Sequence, residues 1–235
     1  MGCEIFCFSY VRITINLEEK WGELMGELEK LKQDCIVKQK RGLHIIIASI
    51  VVWGGILAVE LLNVPVLTKN LFVFVCTALL LPISYFISRL INVDFQNKTN
   101  PLTKLGMLFS MNQLLYLLIA MWIYPTIPNK MLMVLAIIFG AHLLPYSWLY
   151  NSRAYFISSI VISILALLVG TNFKPFILAS VMLTIVVAFC ITLILENHQL
   201  DWRAPIRKED RSLFYYIILI LVKLLIVEKT IAKRD

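Results

Sequence analysis

The chain has 235 residues, of which 60% are hydrophobic and 16% charged, with a formal net charge of +7. Soluble domains run nearer 45–50% apolar and about 25% charged. Here the charges are also segregated into the first 42 residues, a few connections and the stretch from Glu196 onward. That pattern excludes an ordinary soluble domain and selects an all-α, polytopic transmembrane helix bundle. The positive charge is accounted for by topology and anionic lipid, so nucleic acid is not an expected partner.

In chain order, residues 1–16 read as a leader of unclear structure. Met1-Gly2-Cys3 starts like a myristoylation site, but Phe6 stands where Ser or Thr is needed. Residues 17–42 read as an amphipathic cytoplasmic helix. Leu17, Trp21, Leu24, Leu28, Leu31 and Cys35 follow alternating spacings of four and three, which is an a/d heptad seam. The seam has two readings: a contact with a second copy or a partner helix, or a short helix lying on the bilayer or on its own bundle. Gly22 and Gly26 each weaken it by about 1 kcal/mol.

Spanning ~30 Å of hydrocarbon takes ~20 helical residues. Seven segments are candidates: Leu43–Leu62, Leu71–Ile91, Leu105–Tyr124, Met131–Tyr150, Ala154–Gly170, Phe176–Leu195 and Leu213–Val227. Backbone in lipid must pair internally, so each is expected to be helical. Asn63 with Pro65, Asn100-Pro101, Pro125 to Asn129, Asn151-Ser152 and Asn172 to Pro175 supply the breaks. The organisation expected is a six-helix bundle over 43–195, a basic cytoplasmic loop over 196–212, and a seventh transmembrane or interfacial helix with a basic tail over 213–235. Lys223 leaves that last segment open between six and seven spans.

Lys and Arg set the orientation. Lys30, Lys32, Lys38, Lys40, Arg41, Arg89, Lys98, Lys104, Arg153, Arg203, Arg207, Lys208 and Arg211 fall on the side of the N-terminus; Lys69, Lys130 and Lys174 fall opposite. The N-terminus is therefore expected to be cytoplasmic.

Chemistry-bearing residues within spans are few. Asn112, Gln113 and Tyr116 sit in the third segment, His142 and Tyr146 in the fourth. Asn112 with Tyr116, and His142 with Tyr146, are i, i+4 pairs, so each pair shares a helix face. The two helices form an antiparallel hairpin, and rise per residue puts Asn112 about 10 Å and His142 about 12 Å from the same membrane face. Polar groups in lipid turn inward and find partners. The cluster is either a small-molecule, ion or proton site, with His142 the group that titrates near neutrality, or a structural hydrogen bond within the hairpin. Small residues four apart mark expected close contacts: Gly54 and Ala58, Gly106 and Ser110, Ala136 and Gly140, Ser159 and Ser163.

Leu80-Leu81-Pro82-Ile83-Ser84-Tyr85 and Leu143-Leu144-Pro145-Tyr146-Ser147-Trp148 echo one another, and Pro82 and Pro145 should kink their helices. Glu196, His198 and Asp201 match no standard metal spacing, no CxxC occurs, and no nucleotide-binding or hydrolase motif is present. Neither metal nor cofactor is expected, and an enzyme is the weakest reading.

Asn100-Pro101-Leu102-Thr103-Lys104-Leu105-Gly106, then Asn112-Gln113 and Tyr116, then Gly140 through Tyr150 (Gly-Ala-His-Leu-Leu-Pro-Tyr-Ser-Trp-Leu-Tyr) carry a resemblance. They resemble a family of small bacterial multi-pass membrane proteins, a domain of unknown function of the DUF7010 type. The resemblance covers roughly Lys30 to Leu195. It implies a bacterial plasma membrane, singles out the His142 and Asn112 neighbourhood, and supplies no activity. Two functions remain: transport through the polar cluster, or a non-catalytic scaffold or sensor acting through the N-terminal helix.

Overall fold

The computed structural model describes residues 2–94, 97 and 99–201, with side chains from residue 20 to 198. The helices are α1 (Gly2–Gln39), α2 (Leu43–Glu60), α3 (Val66–Ala78), α4 (Leu80–Leu90), α5 (Pro101–Thr126), α6 (Met131–Leu149), α7 (Arg153–Asn172) and α8 (Pro175–Asp201). Short 3₁₀ turns at Lys40–Gly42 and Pro128–Lys130 precede α2 and α6. Among the described residues, and taken with their direct continuations, six helices are long and apolar enough to cross a membrane: Lys20–Glu60, Val66–Leu90, Pro101–Thr126, Pro128–Leu149, Arg153–Asn172 and Pro175–His198. The seventh candidate, Leu213–Val227, the adjoining loop from residue 202 and the tail lie outside the described residues.

α1 begins at Gly2, so the leader and the amphipathic segment form one helix. α8 runs on to Asp201, past the boundary the charges marked at residue 195. The second span is two helices. Pro82 cannot donate to the carbonyl of Ala78 and its ring crowds that oxygen; α3 ends at Ala78, and α4 restarts at Leu80. The same motif around Pro145 leaves α6 unbroken from Met131 to Leu149.

α5 lies on α6, α6 on α7, α7 on α8, α8 on α2, and α2 on α3 and α4, while α3 also meets α5 and α6. Contact is densest between α6 and α7, where the small residues allow it. A Cβ added to Gly140 would sit 2.6 Å from Ser163 Oγ and 2.9 Å from the Ser163 backbone nitrogen. A Cβ at Gly106 would lie 3.2 Å from Leu149 Cδ2, a milder contact with the end of a side chain. The expected contact at Gly54 and Ala58 is not made: space beside Gly54 is open and Ala58 is exposed, because α2 turns its other side to α8. The core is Ile46, Trp53, Ile56, Met131, Leu135, Ile162, Met182, Phe189 and their neighbours. α3–α4 and α5 are least covered. Only 17% and 11% of their most apolar stretches are buried, against 44–50% for the other spans.

Hydrogen bonds tie the connections at both ends. Away from α1, Asn70 Nδ2 donates to Pro128 O at 2.9 Å, Lys130 Nζ to Gly170 O at 2.8 Å, and Lys69 Nζ to Glu60 O at 2.7 Å. The end that carries α1 is far more elaborate.

Candidate functional site

α6 places His142, Tyr146 and Tyr150 four residues apart, so they descend one face toward the end that carries α1. The His142 ring packs edge-on against Tyr146 with centroids 5.2 Å apart. Tyr146 stacks on Tyr150 at 5.8 Å, Tyr150 meets Tyr155 of α7 at 5.6 Å, and Tyr155 packs against Phe189 of α8 at 4.9 Å. Each hydroxyl is spent. Tyr146 donates to the Gly106 carbonyl at 2.9 Å and lies 2.6 Å from Ser110 Oγ. Tyr150 donates to Gln39 Oε1 at 2.9 Å, and Gln39 Nε2 donates to Thr103 Oγ1 at 3.2 Å. Tyr155 donates to the Arg41 carbonyl at 2.7 Å.

The column ends at a corner of unusual backbone. Lys40, Arg41 and Gly42 have φ of 46°, 50° and 69°. Glycine adopts this region freely, while each L side chain there costs about 1–2 kcal/mol. At Gly42 a Cβ would lie 3.1 Å from Tyr155 Oη, so the position also needs glycine for room. The two strained residues are held from several sides. Arg41 Nη1 donates to Glu196 O at 2.7 Å and Asn197 Oδ1 at 3.2 Å, and Arg41 Nε to Tyr150 O at 3.4 Å. Asn197 Nδ2 donates to Lys40 O at 2.9 Å. Glu196 does two tasks at once: its carboxylate lies 3.8 Å from Arg41 Nε, and it accepts from Ser152 Oγ at 2.6 Å and Ala154 N at 3.1 Å, closing the N-terminus of α7. Burial pulls the Arg41 guanidinium below its ordinary value and Glu196 opposes that shift; an arginine stays charged regardless.

A second knot fastens α1 beside it. Asp34 accepts from Asn97 Nδ2 at 2.6 Å and Asn100 Nδ2 at 2.9 Å, and pairs with Lys38 at 2.7 Å. The Lys38 and Asn100 contacts hold its carboxyl below the usual aspartate range. Asn100 also caps α5, accepting from Leu102 N at 2.9 Å. Lys32 Nζ sits 3.8 Å over the Trp148 ring. Leu28, Leu31 and Cys35 of the heptad seam pack on the bundle, whereas Trp21 and Leu24 are 63% and 47% exposed. The Leu17 side chain lies outside the described ones.

The remaining polar residues of α5 lie elsewhere. Asn112 Nδ2 donates to Tyr116 Oη at 3.1 Å along the same helix, and both residues are exposed. Asn112 stands two positions from Ser110, about 200° around the helix, so it faces away from Tyr146. Gln113, seven residues past Gly106, lies on the Gly106 side of α5 and is half-buried. The structure thus joins His142 and Tyr146 to Gly106 and Ser110, and sets Asn112 and Tyr116 apart from them. Among the described residues His142 makes its ring contact with Tyr146 and no hydrogen bond to Asn112, Gln113 or Tyr116. Among them too, no group of three His, Cys, Asp or Glu side chains could hold a metal ion.

Sequence reasoning passed over Tyr150, Tyr155, Arg41, Gln39, Asp34 and Glu196. The four-residue spacing from His142 through Tyr150 was a readable signal for the column. In sequence Arg41 is one of the topogenic charges and Glu196 opens the loop after the sixth segment; their pairing spans 155 positions and leaves no local signal.

A family model described as a family of unknown function (DUF7010) matches residues 28–196. No curated protein and no solved structure matches the chain.

Proposed function

The chain belongs to that family, which carries no assigned activity, and we propose that it is a non-catalytic membrane module in which α1 is a signalling or docking arm coupled to the bundle through the Arg41 corner. In this reading the arm is cytoplasmic, as the Lys and Arg distribution favours. One observation carries the proposal. The last two turns of α1 and the turn after it are fixed to α5, α6, α7 and α8 through Asp34, Gln39 and Arg41, while Trp21 and Leu24, earlier on α1, stay exposed. Non-glycine residues held in left-handed conformation are costly and persist where their surroundings over-determine them, often at switches. A displacement of the arm would have to break bonds to α6, α7 and α8 together.

Transport along the His142–Tyr155 column is the second reading. It is less favoured because the tyrosine hydroxyls are each committed to a protein partner. Proteoliposomes loaded with a pH-sensitive dye separate the two readings: no protein-dependent proton or alkali-cation flux is expected. A flux abolished by His142→Gln would refute the module in favour of transport. Amide exchange tests the coupling: Arg41→Ala should raise exchange in α1 and at the N-terminus of α7 together, and a change confined to α1 would refute it.

A further inference from the structure

α5 carries a second heptad seam, and it faces outward. Leu108, Asn112, Leu115, Ile119 and Trp122 recur at spacings of four, three, four and three. This is the d, a, d, a, d series of a coiled coil, with Asn112 at an a position. All five are exposed, four of them by 49–65%. The opposite side of α5, with Gly106, Ser110 and Ala120, is the one turned to the bundle.

We propose that this face pairs with α5 of a second copy of the chain, with Asn112 setting the register. Three features select a second copy rather than lipid. First, Asn112 lies roughly 16 Å from the start of α5 and 21 Å from its end, so its carboxamide falls in mid-hydrocarbon, where polar groups seek interhelical partners. Its bond to Tyr116 uses one amide proton; among the described residues the second proton and Oδ1 have no partner, nor does the Tyr116 hydroxyl proton. Second, a carboxamide is its own complement, donating and accepting at once. Third, copies inserted in one orientation are related by a twofold axis along the membrane normal, which runs their α5 helices parallel and brings each a or d residue to its own counterpart at equal depth. The seam spans about 21 Å, and its period matches the left-handed ~20° crossing usual in membranes. Tyr116, at the e position, flanks the pair.

Cross-linking in membranes tests the geometry. In the full chain with its five cysteines replaced by alanine, Leu108→Cys, Leu115→Cys and Ile119→Cys should each form a disulfide-linked dimer. Leu114→Cys and Met121→Cys, at exposed c positions, should not. Equal cross-linking at Leu114 and Met121 would overturn the seam. With native cysteines retained, sedimentation equilibrium in density-matched detergent and photobleaching counts in liposomes should both give a dimer. A monomer in both would overturn the proposal even if the cysteine-free chain fails to fold. Asn112→Leu should weaken the dimer about tenfold and Asn112→Gln should preserve it. An unchanged dissociation constant for Asn112→Leu would overturn the role of Asn112.

Discussion

Removing the Glu196 carboxylate should unfasten the end of the bundle that carries α1, and by an amount that depends on what replaces it. In Glu196→Ala, Ser152 Oγ loses its acceptor at 2.6 Å, Ala154 N its acceptor at 3.1 Å, and Arg41 the carboxylate at 3.8 Å. Arg41 is only 11% exposed, so water compensates poorly. Breaking one side of such a pair costs about 3–5 kcal/mol. The lower end applies here, because Arg41 keeps the main-chain oxygens of Glu196 and Tyr150 and the Asn197 amide oxygen. In Glu196→Gln, Oε1 can still accept from Ala154 N while the new amide donates to Ser152 Oγ. Only the attraction to Arg41 and the charge assistance are lost, about 1–2 kcal/mol. At roughly 2–4 °C per kcal/mol for a chain of this size, the alanine variant should melt about 10 °C below the parent and the glutamine variant about 4 °C below. Thermal unfolding in detergent micelles, followed by tryptophan fluorescence, measures both. Raising salt from low to moderate should leave the differences standing, since half-buried groups are weakly screened. Equal losses for Ala and Gln would refute the acceptor argument, and an alanine variant that melts with the parent would refute the corner as a fastening.

Gly140→Ala should cost about 1–3 kcal/mol, since its methyl meets the Ser163 backbone, whereas Gly54→Ala, with open space, should be neutral or stabilising by up to ~1 kcal/mol; the same melting assay compares them. Asp34 has a depressed carboxyl pKa in the folded chain, so its contribution is present above the unfolded value near 3.8 and disappears as pH falls through the folded value. Stability measured against pH should therefore drop on the acid side in the parent and drop less in Asp34→Asn. His142→Ala should lose about 0.5–1.5 kcal/mol of ring contact with Tyr146, and His142→Gln should not recover it, because the contact is a ring and not a hydrogen bond; full recovery by Gln would contradict the geometry. Reporter fusions at Asn151 should read cytoplasmic and fusions at Lys130 and Lys174 external; the reverse would overturn the orientation.

The spans were legible because hydropathy and turn residues are local properties: Asn100-Pro101 and Ser152 mark helix starts in sequence and cap α5 and α7 in the structure. Two nearly identical proline motifs were not separable, since Pro82 breaks its span and Pro145 leaves α6 continuous; packing against neighbours decides that, and it is not local. For the candidate site, periodicity identified the His142–Tyr146 face but could not say which face of α5 meets it. Ser110 and Gly106, read only as small packing residues, supply the partners of Tyr146. The heptad in α1 was conspicuous because polar residues surround it. The one in α5 was hidden, because apolar residues on every side blur its period and Asn112 invited a reading as ligand.

The left-handed corner at Lys40 and Arg41 also sets an order of events during synthesis. α1 and α2 leave the ribosome first, but Tyr150, Tyr155, Glu196 and Asn197, which hold that corner, come more than a hundred residues later. Tyr150 and Tyr155 can reach Arg41 once α6 and α7 are made, but the hold of Asn197 on Lys40 O and of Glu196 on the Arg41 guanidinium waits for α8. The corner is therefore fully fastened only when the sixth span arrives. A chain interrupted before Glu196 would keep α1 on α5 and α6 through Asp34 and Gln39 but leave the corner half-held, and so more open to proteases there than a completed one.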